Sequence, residues 1–264
     1  MDTPILNSKE PLTVVKVGGA VVEDEQQLSS LLDHFAAIPG HKVLVHGGGR
    51  SATRIAASLG IESQMVNGRR ITDADMLRVV TMVYGGLVNK NIVARLQVHG
   101  IDALGLTGAD MDVIRSHRRP AGEVDYGFVG DVDYADGGKM KVLIQQGITP
   151  VMAPLTHDGK GNMLNTNADT IAGEVAKALA PFFDVTLIYS FEMPGVMDAD
   201  GKVISKITRE SFQKYVDEGV ISGGMIPKIE NALQAVNAGV RRVIITQANA
   251  IDGKKGTAVV GVDS

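Results

Sequence analysis

With 264 residues, 44% of them apolar, the chain is long enough for one large α/β domain or two small ones, and for a sizeable core. A net charge of −4, with acids and bases mixed throughout, argues against nucleic acid as the main partner but not against small anions, which need only local positive charge. Without cysteine there is no disulfide, thiolate metal site or cysteine nucleophile, and with 4% aromatics and no tryptophan, base stacking is not a theme.

Residues 1–11 hold Pro4 and Pro11 and little pattern, and read as a loose arm. Asp2 and Glu10 do not fit the basic-then-apolar form of a secretion signal, and no apolar run approaches the roughly 18 residues of a membrane span, so a cytoplasmic protein is expected. Leu12 to Val17 is an apolar, β-branched run with a single charge, Lys16, and it stops at Gly18-Gly19, so it predicts a buried strand. Asp24 to Ile38 has helical spacing of Leu28, Leu31, Leu32 and Phe35. Lys42 to Val45 is a second strand, ending in His46 and three glycines, and Arg50 to Leu59 a short helix opening from them. Asn67 to Ile71 is a polar connector with two arginines. Thr72-Asp73 then caps a helix running to about His99, nearly all apolar from Val79 to Leu87, with Gly85-Gly86 inside.

Ile101 to Leu106 predicts a third strand, and Arg115 to Gly138, rich in glycine and β-formers, predicts hairpins of the kind that cover a site. Lys139 to Gln146 is a helix, Thr149 to Ala153 a strand, and Asn165 to Asp169 leads into an alanine-rich helix. Asp184 to Tyr189 is a strand, Thr208 to Glu218 and Met225 to Ala238 are helices, Arg242 to Thr246 is a strand, and Thr257 to Val262 a last edge strand. Strands alternating with helices predict an α/β fold, a three-layer αβα sandwich with an open, mostly parallel central sheet and a β-hairpin lid. The chain reads as one compact domain, 1–264, in two lobes: about 12–182, and about 183–264.

Ligands of such sheets sit at the carboxyl ends of the strands. Lysine in a core strand is costly unless it emerges there toward an anion, and glycines after a strand leave N–H groups free to cradle phosphate or carboxylate oxygens. The sequence has no Walker phosphate loop, no Gly-x-Gly-x-x-Gly after a strand, no His-Glu-x-x-His metal motif and no Gly-x-Ser-x-Gly elbow. Phosphoryl transfer needs positive charge and N–H donors rather than elaborate acid–base chemistry. Lys16 and Lys228, with Gly18, Gly19, Gly48, Gly49 and one carboxylate, Asp169, supply that chemistry. Plainer readings stand beside it: Lys228 as a surface lysine, Asp169 as a helix-start carboxylate, and His46 as a buried histidine bonded to backbone.

Val15-Lys16-Val17-Gly18-Gly19, His46 to Gly49, Asn67-Gly68-Arg69-Arg70, Asn165 to Asp169 and Gly223 to Lys228 together resemble the amino acid kinase family, in order, from about residue 12 to 262. The Asn-Gly-x-Arg and Asn-x-Asn-Ala-Asp motifs are most similar to the branch acting on N-acylated glutamate. The resemblance implies ATP- and Mg2+-dependent phosphorylation of the side-chain carboxylate of N-acetyl-L-glutamate, or a related N-acylglutamate, to an acyl phosphate in arginine biosynthesis. By the same resemblance, Lys16 and Lys228 neutralise the moving phosphoryl group and Asp169 holds both lysines. Gly18 and Gly19 meet phosphate, Gly48 and Gly49 meet the reacting side, and Arg70 and Asn165 hold the substrate's α-carboxylate and amide. It implies an acyl-amino-acid and dimerisation lobe at 12–182, a nucleotide lobe at 183–264, and a homodimer built on the helix from Asp73 to His99.

Two features depart from the family pattern. The usual Thr/Ser-Asp after the nucleotide-lobe strand is here Ser190-Phe191-Glu192, with Glu192 a substitute carboxylate. The extra N-terminal helix of arginine-inhibited hexamers has no counterpart in the short arm, so insensitivity to arginine is expected. An N-succinylglutamate, another carboxylate or carbamate as acceptor remain open, as does a non-catalytic amino-acid-binding regulatory protein on the same fold. A roomier pocket with Arg69 or the Arg115 to Arg119 segment in it would suit succinyl.

Overall fold

A computed structural model describes residues 9–66 and 68–261; most of the expected arm, Asn67 and the last three residues lie outside the described residues. The central strand is β1 (Pro11–Val17). Side chains alternate across a strand, so Leu12, Val14 and Lys16 face one side of the sheet and Val15 and Val17 the other. Then come a one-turn helix, α1 (Gly19–Glu23), and α2 (Glu25–Ala37), whose start is capped by the Asp24 carboxylate accepting from the Gln26 and Gln27 amides. β2 (His41–His46) leads through the glycines into α3 (Gly49–Ser58). The connector expected between 67 and 71 is instead part of a small antiparallel ribbon, β3 (Met65–Val66) with β4 (Arg69–Arg70).

α4 (Ala74–Val80), capped by Asp73 accepting from the Met76 amide at 2.8 Å, passes into a π-helical stretch, Thr81–Val88, and on into α5 (Asn89–Val98). The long helix is therefore present, but its apolar middle is wound more widely than the α-helix the periodicity predicts. β5 (Ala103–Leu106), β6 (Ile114–Arg118) and β7 (Gly130–Ala135) follow, the last two paired antiparallel where hairpins were expected. The remaining elements are α6 (Gly137–Gln145), β8 (Thr149–Met152), β9 (Leu155–His157), β10 (Met163–Asn165), α7 (Ala168–Leu179) and β11 (Asp184–Phe191). The chain closes with β12 (Lys206–Ile207), α8 (Arg209–Asp217), α9 (Met225–Asn237), β13 (Arg242–Gln247) and β14 (Thr257–Val260).

The main sheet has the order β12-β14-β13-β11-β1-β2-β8-β5. From β13 across to β5 every pair is parallel, as the βα alternation predicts, and β14 runs antiparallel to β13. One expectation fails: Thr257–Val260 is not the edge. The two-residue β12 pairs outside it, too short to leave an alternation signal in the sequence. A second sheet, β10-β9-β6-β7, rises beside the carboxyl edge of the first.

Two apolar layers sandwich the main sheet. On one face Val14, Val45, Leu187 and Val243 meet Ile171, Val175 and Ile229 of α7 and α9; on the other Val15, Leu44 and Ile188 meet Leu31, Phe35, Val79 and Ile92 of α2 to α5. Each such side chain, fully enclosed, contributes roughly 1.5–3 kcal/mol relative to exposure. The layers hold the strand ends of β1, β2, β11 and β13 in a row, and the functional candidates hang from that row.

Candidate active site

Lys16 is the last residue of β1 on the α7 side, opposite Tyr189 of β11 and Val45 of β2. Only 8% exposed, it reaches the first turn of α7, where its Nζ lies 2.7 Å from Asp169 Oδ1. A buried ammonium needs such a partner. The carboxylate is favoured there because it sits at a helix N-terminus, behind the Asn167 cap that accepts from its own amide at 2.8 Å. The Tyr189 hydroxyl donates to the Asp169 carbonyl at 3.2 Å and ties α7 to the sheet; burial pushes that phenol well up. Lys228 lies in the first turn of α9. Its Nζ stands 4.0 Å from the centre of the Phe191 ring, and Lys16 Nζ 5.3 Å from the same centre. Asp169, Tyr189, Phe191, Lys228 and Asn231 enclose a small cavity of about 20 Å³.

The two strand-to-glycine junctions lie back to back. A Cβ on Gly47 would stand 3.4 Å from the Gly19 Cα, and one on Gly18 would stand 3.3 Å from the Ser190 carbonyl oxygen, so the loops touch through backbone. Gly48 has φ 153° and the Tyr84 ring presses on it; a Cβ there would meet the ring at 3.0 Å. Gly18, Gly48 and Gly224 precede α1, α3 and α9 and none gives a side-chain cap, whereas Asp24, Asp73, Asp136, Asn167 and Thr208 cap α2, α4, α6, α7 and α8. The uncapped starts of α1, α3 and α9 leave first-turn N–H groups available to an anion.

A cleft of about 180 Å³ opens over the triple glycine, lined by Gly48, Gly49, Arg69, Arg70, Tyr84 and Asn165 among others. Arg70, 7% exposed, donates to the Gly49 carbonyl at 2.8 Å, to Thr53 Oγ1 at 3.0 Å and to Ser63 Oγ. Asn165 donates to Thr72 Oγ1 at 2.9 Å, which donates to the Arg70 carbonyl at 3.1 Å, so the β10 end is bonded to the arginine's own backbone. Arg69 is half-buried; desolvation first, then the neighbouring Arg119 charge, lower its pKa, and Asp131 acts the other way. Arg119 pairs with Asp131, while Arg69 makes no ion pair among the described residues.

His46 takes the plain reading. It is fully enclosed, on the opposite face of the sheet from Lys16. Asn89 Nδ2 approaches its Nε2 at 3.1 Å and the Gly47 carbonyl its Nδ1 at 2.7 Å. A carbonyl only accepts, so the proton is on Nδ1 and the ring is fully engaged. Burial lowers its pKa to about 4, which keeps it neutral near pH 7. Glu192 does not reach the lysine cluster; it stands 3.9 Å from Arg50, both exposed. Among the described residues no group of three histidine, aspartate or glutamate side chains is arranged to hold a metal ion.

The structure thus gathers Lys16, Asp169 and Lys228 at one spot, and Gly48, Gly49, Arg70 and Asn165 in the adjoining cleft, with Gly18 and Gly19 between them at the end of β1. Tyr84, Thr72 and Phe191 belong to this constellation and escape sequence reasoning. Tyr84 reads as one more apolar position of the long helix, and nothing local signals its contact with Gly48. Phe191 falls where the family pattern has an aspartate, in what the sequence reads as the loop after Tyr189, whereas β11 runs on to it.

An open parallel sheet with this edge, and with motifs in this order, defines a class. Residues 11–247 match the amino acid kinase family, and the chain belongs to that family. It is 67% identical over 254 residues to the acetylglutamate kinase of Bacteroides thetaiotaomicron, an alignment covering 95% of this chain and 99% of that one. Among solved structures it is similar to smu.665 from Streptococcus mutans, with a TM-score of 0.75 and 31% identity over 94% of this chain and 98% of that one. The N-acetylglutamate synthase of Neisseria gonorrhoeae, at 19% identity, shares the fold with a TM-score of 0.78, over 96% of this chain and 59% of the longer one.

Proposed function

We propose that the chain transfers the γ-phosphoryl group of ATP to the side-chain carboxylate of N-acetyl-L-glutamate, a step of arginine biosynthesis. The observation that carries the reading is the convergence of Lys16 and Lys228 on one ring, with the Asp169 carboxylate paired to Lys16, beside a cleft backed by an arginine and glycine amides. Two ammonium groups against one carboxylate leave a surplus of positive charge, which is what a polyphosphate chain complements. In the reaction a carboxylate oxygen of the substrate forms the new bond to phosphorus, the bond to the β–γ bridging oxygen breaks, and ADP leaves with that electron pair. The attacking carboxylate is already ionised at neutral pH, so no general base is needed, in keeping with the closed-off state of His46.

The chain's residues act by position and charge. Lys16 and Lys228 offset charge on the γ-phosphoryl oxygens as the bond to ADP lengthens, and Asp169 fixes Lys16. N–H groups at Gly18 and Gly19 meet the phosphates, and those at Gly48 and Gly49 meet the substrate side. Arg70 and Asn165 hold the α-carboxylate and the amide. ATP's usual partner Mg2+ takes oxygen ligands, several of them phosphate and water. Bound to the nucleotide, the ion would neutralise phosphate charge. The reading assigns residues 12–182 to the acylated amino acid and 183–264 to the nucleotide, in one compact unit. It includes a cytoplasmic homodimer, supported by Met82 and Leu87, which stand 55% and 48% exposed on the long apolar helix.

A second acceptor, N-succinylglutamate, is favoured by one observation: Arg69 lines the cleft beside Arg70 without an ion-pair partner among the described residues, and a second carboxylate on the acyl group would pair with it. The deciding experiment is ADP release from ATP-Mg2+ with N-acetylglutamate, N-succinylglutamate, glutamate, aspartate and carbamate offered separately. Turnover with an N-acylated glutamate alone is expected, and the preferred acyl group separates the two readings. No turnover with any acceptor, but saturable amino-acid binding, would point to a regulatory binding protein instead.

A further inference from the structure

Phe191 occupies the position after Ser190, at the last residue of β11, and both active-site ammonium groups approach its ring. Its ring is packed nearly parallel to Tyr189, with centroids 6.1 Å apart and planes 21° apart. Tyr189 is in turn anchored to the Asp169 backbone at 3.2 Å. The ring is therefore braced from behind by the same helix start that carries the carboxylate. Lys228 at 4.0 Å and Lys16 at 5.3 Å both fall inside the range in which an ammonium is attracted by the negative face of an aromatic ring.

We propose that Phe191 is a positioning residue for phosphoryl transfer, an aromatic platform that holds Lys228 and, more weakly, Lys16 at the phosphate site through cation–π attraction. The proposal rests on the kinase reading above and adds to it a residue outside the lysine, aspartate and glycine set. Its physical basis is a mismatch of charge. Asp169 neutralises Lys16, and no ion pair to Lys228 exists among the described residues. A second carboxylate would hold Lys228 more firmly, but it would also repel the incoming phosphates and compete with them for the ammonium. A neutral ring does neither: it orders the side chain before ATP arrives and releases it to the phosphate oxygens without separating an ion pair. This accounts for an aromatic side chain in a place where ordinary packing could be met by any apolar residue.

The test compares side chains of similar bulk that differ in the negative face. Phe191→Leu keeps an apolar filler and removes the face; it is expected to lower kcat/KM for ATP about five- to tenfold, the size of one cation–π contact, while KM for the acylated glutamate moves less than about twofold. Phe191→Tyr and Phe191→Trp are expected to restore most of the loss. The sharper series places mono-, di- and trifluorinated phenylalanine at position 191, preserving shape while draining the face of charge, with log kcat/KM for ATP expected to fall stepwise. ATP-Mg2+ binding to each variant, measured by titration calorimetry, is expected to weaken in the same order. A flat fluorination series, or Phe191→Leu equal to wild type, would overturn the role given to Phe191. Should the wild-type chain bind ATP but phosphorylate no acceptor, the kinase reading fails by itself, and the calorimetric series still decides on the ring.

Discussion

Two polar groups emerge at the carboxyl ends of adjacent strands, one on each face of the same sheet, and they have opposite characters. His46, on the side covered by α2 to α5, is closed: both ring nitrogens are engaged, by Asn89 and by the Gly47 carbonyl, and burial holds the imidazole neutral. Lys16, on the α7 side, is paired with Asp169, yet the pair shares its surroundings with a second ammonium that stands over an aromatic ring and has no ion pair among the described residues. A buried polar group whose hydrogen-bonding capacity is used up by its own chain supports the fold. A cluster left with surplus charge and uncapped helix starts around it has capacity to spend on a ligand. The histidine is the more conspicuous residue in the sequence, and the lysine is the one whose surroundings carry surplus charge.

The largest expected effect follows from removing the surplus. Lys16→Ala is expected to lower turnover by about 10²–10³, as loss of one electrostatic group at a developing charge does, measured by ADP release under saturating substrates. A Lys16→Ala enzyme at near wild-type rate would break the comparison. Next in size, Arg70→Lys keeps the charge but loses the forked donor set that spans Gly49, Thr53 and Ser63. Its expected mark is a rise of roughly 10–100-fold in KM for the acylated glutamate, with KM for ATP little changed.

The smallest effect sharpens the closed side of the comparison. His46 has an ordinary value of 6.5 and a folded value of about 4. As pH falls below 6.5 the unfolded chain takes up the proton and the folded one does not, so stability is full above about 6.5 and declines toward about pH 4. His46→Gln cannot titrate, and its melting temperature is expected to fall less steeply over that window than that of the wild type. Its kcat is expected to show no new dependence on pH there, because the ring takes no proton from substrate.

The parts of this molecule legible in the sequence are those written locally. β-branched runs ending in glycines, at Val17 and at His46, announce both the strands and the loops after them, and Asp73 announces the start of the long helix. The meeting of Lys16 with Asp169 and Lys228 is not local: it requires β11 to insert beside β1 and α7 and α9 to cover the same face, and only the order of motifs, by resemblance, suggests it. Very short elements left no periodicity to read. The β12 strand that displaces Thr257–Val260 from the edge and the β3–β4 ribbon are both two residues per strand. Phe191 is not legible because the strand signal stops at Tyr189, and a lone aromatic in the following loop carries no sign of the two cations it faces.

The widened stretch from Thr81 to Val88 sets the phase of everything after it. An α-helix turns about 100° per residue, and a π turn accommodates one residue more in each hydrogen-bonded loop. Tyr84, inside the stretch, leans on Gly48, and Asn89, just past it, reaches His46. These are contacts to the end of β2 and to the glycine loop that follows it, and the wide winding aims both side chains at once. Deleting a single residue here while the winding stays wide would turn α5 by roughly a quarter of a turn relative to α4, so that one anchor or the other is lost. The segment works as a vernier between helix and loop, and its length is fixed to the residue.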